Sequence, residues 1–289
     1  MANQLPLSGV STGVRSGVSI IIPAFDDRLA LRRLLTELRG LLAELGGSIE
    51  RSSAHKPDQP LSWELIVVEG SRPSGSAEEP LESDRALTDQ WLQCEANRAR
   101  QLQLGAENAR FSHLWFLHAD TSAVAAPMRW LSRLLGQATL GDAAELWGRF
   151  DVRLDSPRPS LRVVSSMMNW RSRLSGICTG DQGLFVSREL LAGIGGWPDQ
   201  PLMEDVELSR RLKSVSRPKT PRATLMTSAR RWHKNGVLRT ILLMWRLRWQ
   251  YFFGVSPDKL QILYNPTVAR SMELDGASAQ QSNGATRAS

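Results

Sequence analysis

The sequence predicts an α/β fold with a mostly parallel central sheet flanked by helices, and two observations carry that expectation. Three short apolar runs, at residues 18–22, 63–68 and 114–117, are spaced by stretches with helical periodicity. A strand, helix, strand, helix, strand order of this kind folds into a parallel sheet covered on both faces. The second observation is size. The chain has 289 residues of which 42% are hydrophobic, enough for one large domain with a proper core.

The first run, Val18 to Ile22, is β-branched and stops at Pro23, the pattern of a fully buried strand. Leu31, Leu34, Leu35, Leu38, Leu41, Leu42 and Leu45 then recur at helical spacing, and Gly46-Gly47 is expected to stop that helix. A polar linker leads to the second run, which ends at Glu69-Gly70. A Ser/Pro/Gly-rich loop over 71–76 and a helix near 97–110 follow, and the third run closes as FLHADT. Residues 1–16 and 266–289 lack periodicity and read as disordered tails. The domain proper is expected over 17–235, with a helical region over 236–265 packed on it or lying at a membrane surface.

Composition narrows the function classes. A formal charge of +7, from 36 basic and 29 acidic residues, favours anionic partners. The basic residues are dispersed, which argues against nucleic acid. Two cysteines are too few for a disulfide framework or a metal knuckle. There is no signal-peptide pattern and no stretch approaching the roughly 20 apolar residues that span a bilayer, so a cytoplasmic protein is expected, with peripheral membrane contact left open.

Open parallel sheets bind ligands at the carboxyl ends of their strands. Those ends carry Asp26-Asp27, Glu69 and Asp120. A carboxylate at a strand end suits a divalent cation bound with a diphosphate, although Asp-Thr is also ordinary capping chemistry and His118 alone reads as a core histidine. Gly176, Gly180 and Gly183 surround Thr179, Asp181 and Gln182 in a polar turn that could present amides and a carboxylate to a sugar or phosphate. Glu204, Asp205 and Glu207 open a helix, where acids suit the helix dipole and one of them could take a proton from an incoming hydroxyl. Trp197 upstream offers an apolar face for a sugar ring. Arg230, Arg231 and Trp232 could grip a diphosphate or form a solvated basic face. The aromatic and arginine-rich stretch 237–253 reads as a core helix or as an interfacial one.

Taken together these motifs resemble the family 2 glycosyltransferases. VSIIIPAFDD is similar to that family's first strand, FLHADT to its Asp-x-Asp strand end, and MEDVELSRRL to its acidic helix. The strings GRFDVRL, TGDQGLFV, GGWPDQPLMEDVELSRRL, TSARRW, TILLMWRLR and GVSPDKL resemble the bacterial subgroup associated with arsenosugar biosynthesis, over residues 18 to about 264. The resemblance implies a single nucleotide-sugar-binding domain of the GT-A type, inverting and metal-assisted with Mg or Mn. Its substrates would be a nucleoside diphosphate sugar and a small-molecule or lipid acceptor hydroxyl.

By position, the resemblance makes Asp205 the catalytic base and Asp120 the metal and diphosphate contact, with His118 standing where the family often has its first Asp. Pro23, Ala24 and Asp26 would open the nucleotide pocket, and Glu69 takes the place of the Asp that contacts the base. Glu204, Asp181, Gln182, Trp197, Arg231 and Trp232 complete the substrate contacts. The rival readings are a nucleotidyltransferase that makes a nucleotide sugar, or a noncatalytic basic binding protein. Against the former, no Gly-rich phosphate loop bearing Arg or Lys follows the first strand.

Overall fold

In a computed structural model, residues 15–49, 61–71, 81–137 and 143–264 are described. The expected tail at 266–289, all but Arg15 and Ser16 of the expected tail at 1–16, the linker at 50–60 and most of the loop after Ser71 lie outside the described residues, and Arg15 and Ser16 are not a tail but the start of the first strand.

The first strand, β1 (Arg15–Ala24), leads into α1 (Arg28–Ile49), which runs on through Gly46-Gly47 instead of stopping there. Next come β2 (Ser62–Ser71), the short α2 (Glu82–Arg85), β3 (Gln90–Glu95), α3 (Arg98–Asn108) and β4 (Phe111–Phe116). The sequence pattern did not foresee β3. It is the edge strand of its sheet, QWLQCE, half-exposed and without a continuous apolar run. Then follow β5 (Thr121–Ser122), α4 (Ala125–Gln137), β6 (Trp147–Gly148), β7 (Asp151–Asp155), α5 (Pro159–Ser175), β8 (Phe185–Ser187), α6 (Arg188–Gly193) and α7 (Glu204–Val215). The chain continues through β9 (Thr224–Ser228), α8 (Arg230–Asn235), α9 (Val237–Phe252) and α10 (Pro257–Tyr264).

The main sheet has the order β3-β2-β1-β4-β8-β6. The pairs β2–β3, β1–β2 and β1–β4 are parallel, and β8 adds antiparallel to both β4 and β6. A smaller sheet runs β5-β9-β7. The chain order reverses between β1 and β4, so a crevice opens beyond the carboxyl ends of these two strands, where such sheets take their ligands.

Alternation along β1 sends Ile20 and Ile22 into one apolar layer with Leu34, Leu35 and Leu38 of α1, and Ile21 into the other with Leu102 of α3 and Leu208 of α7. The second layer is tight where α3 crosses β1. A methyl added at Gly105 would sit 2.4 Å from Ile21 Cγ2.

One buried charge anchors the far end of the sheet. Glu64 is fully buried and accepts from the Ser19 hydroxyl and from the Arg110 backbone N–H and guanidinium, each of the latter at 2.6 Å. Burial alone would push this carboxyl up, but those hydrogen bonds hold it below the usual range.

Candidate functional site

The crevice is built from the ends of β1 and β4 and from two segments that reach over them. After β1 the chain turns at Asp26, whose φ of 52° is left-handed, a conformation that aspartate tolerates better than most residues. After β4, Asp120 stands half-buried. Burial raises its carboxyl above the ordinary value, and the neighbouring charges of Asp27 and Asp181 add to this against Arg230. Three carboxylates from three separate segments therefore share one electrostatic neighbourhood, and Arg230 also pairs with Asp27.

The turn that carries Asp181 is locked by its own side chains. Thr179 and Gln182 form a reciprocal cap, and Gln182 is fully buried with its carbonyl oxygen accepting from the Thr179 N–H at 3.0 Å. Gly183 has a φ of +59°, and a side chain there would also strike Leu225. The Gln182 side chain, expected to contact substrate, is thus taken up in holding the turn.

The turn is fastened to α7 through Asp205. Asp205 Oδ2 accepts from the Gly180 N–H and Oδ1 from the Val206 N–H, both at 2.8 Å. Ser209 adds a second tie, accepting from the Cys178 N–H at 3.0 Å and donating to the Asp205 carbonyl. The carboxylate is thereby held at the N-terminus of α7, and each oxygen keeps a further lone pair for a proton donor. The preceding residue, Met203, is left-handed with φ 63° and buried, which fixes how α7 enters the site.

Glu204, expected among the substrate contacts, has its carboxylate taken up by an arginine. It is buried and paired with Arg98, whose other terminal nitrogen contacts His118 Nε2 at 2.8 Å. Burial, with Arg98 beside it, drives the His118 imidazole well below its usual value, so the ring is neutral and its Nε2 accepts from the guanidinium. That nitrogen is spent, which removes His118 Nε2 as a metal ligand. Arg98 instead joins the end of β4 to the start of α7.

Other expected contacts are placed differently. The Trp197 ring is buried against Phe116, edge-on at 5.0 Å between centroids, so it is part of the core and not an open sugar platform. Arg231 turns away over the Tyr264 ring, 4.2 Å from its centroid, and it is Arg230 that meets the carboxylates. Trp232 is half-buried against the apolar cluster of Leu154, Leu161, Val164 and Ala229. Pro23 and Ala24 pair with Val68 and Glu69 across β1 and β2, and the Ala24 carbonyl accepts from Gln101 at 2.9 Å. Glu69 is engaged by Arg28 at 3.0 Å and by the Trp91 indole N–H at 3.2 Å.

Arg98 was absent from the sequence reading, and Arg230 entered it only as one of a basic pair with Arg231. Arg98 follows the Asn97 cap in the first turn of α3, where the helix dipole disfavours a cation, and that anomaly was the available signal.

Among the described residues no group of three or more His, Cys, Asp or Glu could hold a metal by itself. A small divalent cation asks less than that when it binds with phosphates, because one or two carboxylates and the substrate oxygens complete its shell. Asp120 fits that mode, with Asp27 and Asp181 adding negative charge nearby.

No protein-family model matches the chain, and no curated protein matches it. Solved structures do. The crystal structure of S. aureus TarS aligns with a TM-score of 0.50 at 12% identity, covering 73% of this chain and 36% of that one. TarS 1-349 in complex with UDP gives 0.50 at 14%, covering 73% and 60%. The chain thus spans well under two thirds of TarS. What it shares with TarS is the fold, an α/β architecture with a mostly parallel central sheet flanked by helices.

Proposed function

We propose that this chain is a glycosyltransferase that moves a sugar from a nucleoside diphosphate sugar to an acceptor hydroxyl, with inversion at the anomeric carbon. The observation that carries the reading is the gathering of Asp120, Asp181 and Asp205 at the switch point of the sheet, with Asp205 fastened by two backbone N–H groups. The fold similar to TarS, which has been crystallised with UDP, supports a nucleotide-sugar donor.

The residues divide the work. The acceptor hydroxyl oxygen attacks the anomeric carbon while its proton passes to the Asp205 carboxylate, and the bond to the diphosphate oxygen breaks with its electron pair. Asp120 would hold a Mg or Mn ion, whose chemistry is to neutralise charge on the diphosphate. Arg230, beside Asp120, adds a fork of donors for phosphate oxygens. The salt link of Arg98 with Glu204 keeps the Asp120 and Asp205 ends in register. The resemblance to the arsenosugar subgroup suggests one source of acceptors.

The test is release of nucleoside diphosphate from a panel of nucleotide sugars by the full chain with Mn or Mg. Release from one donor above the rate without protein is expected. A product that keeps the nucleotide would instead favour a nucleotidyltransferase.

A second observation bears on where the acceptor is met. Val163, Met167, Trp170 and Leu174 form an exposed stripe along α5, and Leu238, Leu242, Trp245, Trp249 and Phe252 form another along α9. Trp170 is 66% and Phe252 81% exposed. Arg162, Arg239 and Arg246 are exposed on the same helices. Aromatic and aliphatic stripes flanked by arginine suit an anionic lipid surface. No helix among the described residues is long and apolar enough to cross a membrane. Sedimentation with vesicles containing anionic lipid is expected for the chain, and it should fall when Trp245 and Trp249 are replaced by serine. Equal sedimentation of that variant would remove the membrane reading.

A further inference from the structure

Two arginines near Asp181 and Asp205 make no hydrogen bond among the described residues. Arg171 lies near the end of α5 and Arg248 on α9. These helices share an apolar cluster that includes Val164 and Met168 from one and Val237 and Ile241 from the other. Nε and Nη2 of Arg171 are shut off from solvent with no hydrogen-bond partner. Leaving charged donors unpaired in this way is costly unless something else supplies oxygens. Both side chains are half-buried as a whole, so part of each remains at the surface.

The charges around the pair locate it. Burial and then the neighbouring Arg248 pull the Arg171 guanidinium down to about 10, against the pull of Asp181 and Asp205. Burial likewise lowers Arg248, against Asp205 and Asp181. The charges felt by Asp120 are those of Arg230, Asp27 and Asp181. Both arginines thus face the Asp181 and Asp205 carboxylates, whereas Asp120 faces Arg230 and Asp27.

We propose that Arg171 and Arg248 form an oxyanion subsite that grips a phosphate or carboxylate group of the acceptor and leaves the acceptor hydroxyl facing Asp205. The assignment rests on the glycosyl-transfer reading, which sets Asp205 as the base. Two guanidinium forks arriving from different helices match the several oxygens of such a group. Anchoring the acceptor by its anion fixes which hydroxyl reaches the carboxylate, so the pair sets regiochemistry as well as affinity.

The test uses the full chain with its donor site filled by whichever of ADP, GDP, UDP and CDP stabilises it most. Orthophosphate is then titrated as the probe, read by melting temperature and calorimetry. Phosphate is expected to raise the melting temperature beyond the nucleotide's own effect. Arg248→Gln should weaken phosphate about tenfold or more, and Arg248→Lys, which keeps the charge and loses the fork, by less. Nucleotide affinity should stay within about twofold in both, which also shows that they fold. Unchanged phosphate affinity in the variants, or no phosphate binding to a nucleotide-bound chain, overturns the subsite and leaves the transfer reading standing. A tenfold loss of nucleotide affinity in Arg248→Gln assigns the pair to the donor diphosphate and overturns the acceptor role. A wild-type chain that binds none of the nucleotides overturns the transfer reading itself, and the subsite with it.

Discussion

Asp205→Asn is expected to lower turnover about 100- to 10,000-fold while leaving nucleoside diphosphate affinity nearly unchanged, the range lost when a general base is removed. The substitution keeps the shape of the side chain and removes its ability to take a proton. It also replaces one accepting oxygen by an NH2 group that faces either the Gly180 or the Val206 N–H, so a stability loss of about 1 kcal/mol accompanies it. That cost is small beside the expected kinetic one, and measuring nucleotide binding and turnover on the same preparation separates the two. Turnover equal to the parent's would remove Asp205 from the chemistry.

The second large effect is on stability. Arg98→Ala leaves the buried Glu204 carboxyl with no cation and frees His118, and should cost about 3 kcal/mol at neutral pH. That is the low end for breaking a buried pair, because Arg98 itself is partly exposed. The pH dependence has a definite sign. Burial already raises the Glu204 carboxyl in the folded state, and loss of Arg98 raises it further. A raised carboxyl is best tolerated protonated, so the variant should differ least from the parent in acid, below the ordinary glutamate range. The deficit should grow as pH rises through the folded pKa. Denaturant unfolding of both proteins at pH 4 and pH 7.5 checks this, and a deficit that is larger in acid would contradict the pairing.

Much of the fold was legible because its strands are buried on both faces and so appear as unbroken apolar runs. Residues 18–22, 63–68 and 114–117 all lie in β1, β2 and β4 or at the end of β4. The edge strand β3 was illegible for the converse reason, since a half-exposed strand carries Gln and Glu between its apolar residues. Gly46-Gly47 looked like a stop, but propensity is a weak prior and α1 continues through them.

The carboxylates of the site were legible because a carboxylate at the end of a buried strand is chemically out of place. Their partners were not. Arg98 meets His118 across 20 residues and Glu204 across 106, and nothing local encodes either contact. Trp197 read as an apolar face for a sugar ring, yet the ring is folded into the core against Phe116. Arg230 and Arg231 are adjacent and alike in sequence. Only the path of α8 decides that the first meets Asp27 and the second lies over Tyr264.

The most direct measurement is calorimetric titration of the full chain with the four common nucleoside diphosphates, with and without Mn, in the parent and in Asp120→Ala. One nucleotide should bind the parent more tightly with Mn than without it, and Asp120→Ala should abolish that Mn dependence while the protein stays folded. No binding of any nucleotide by the folded parent, under either condition, would contradict the account.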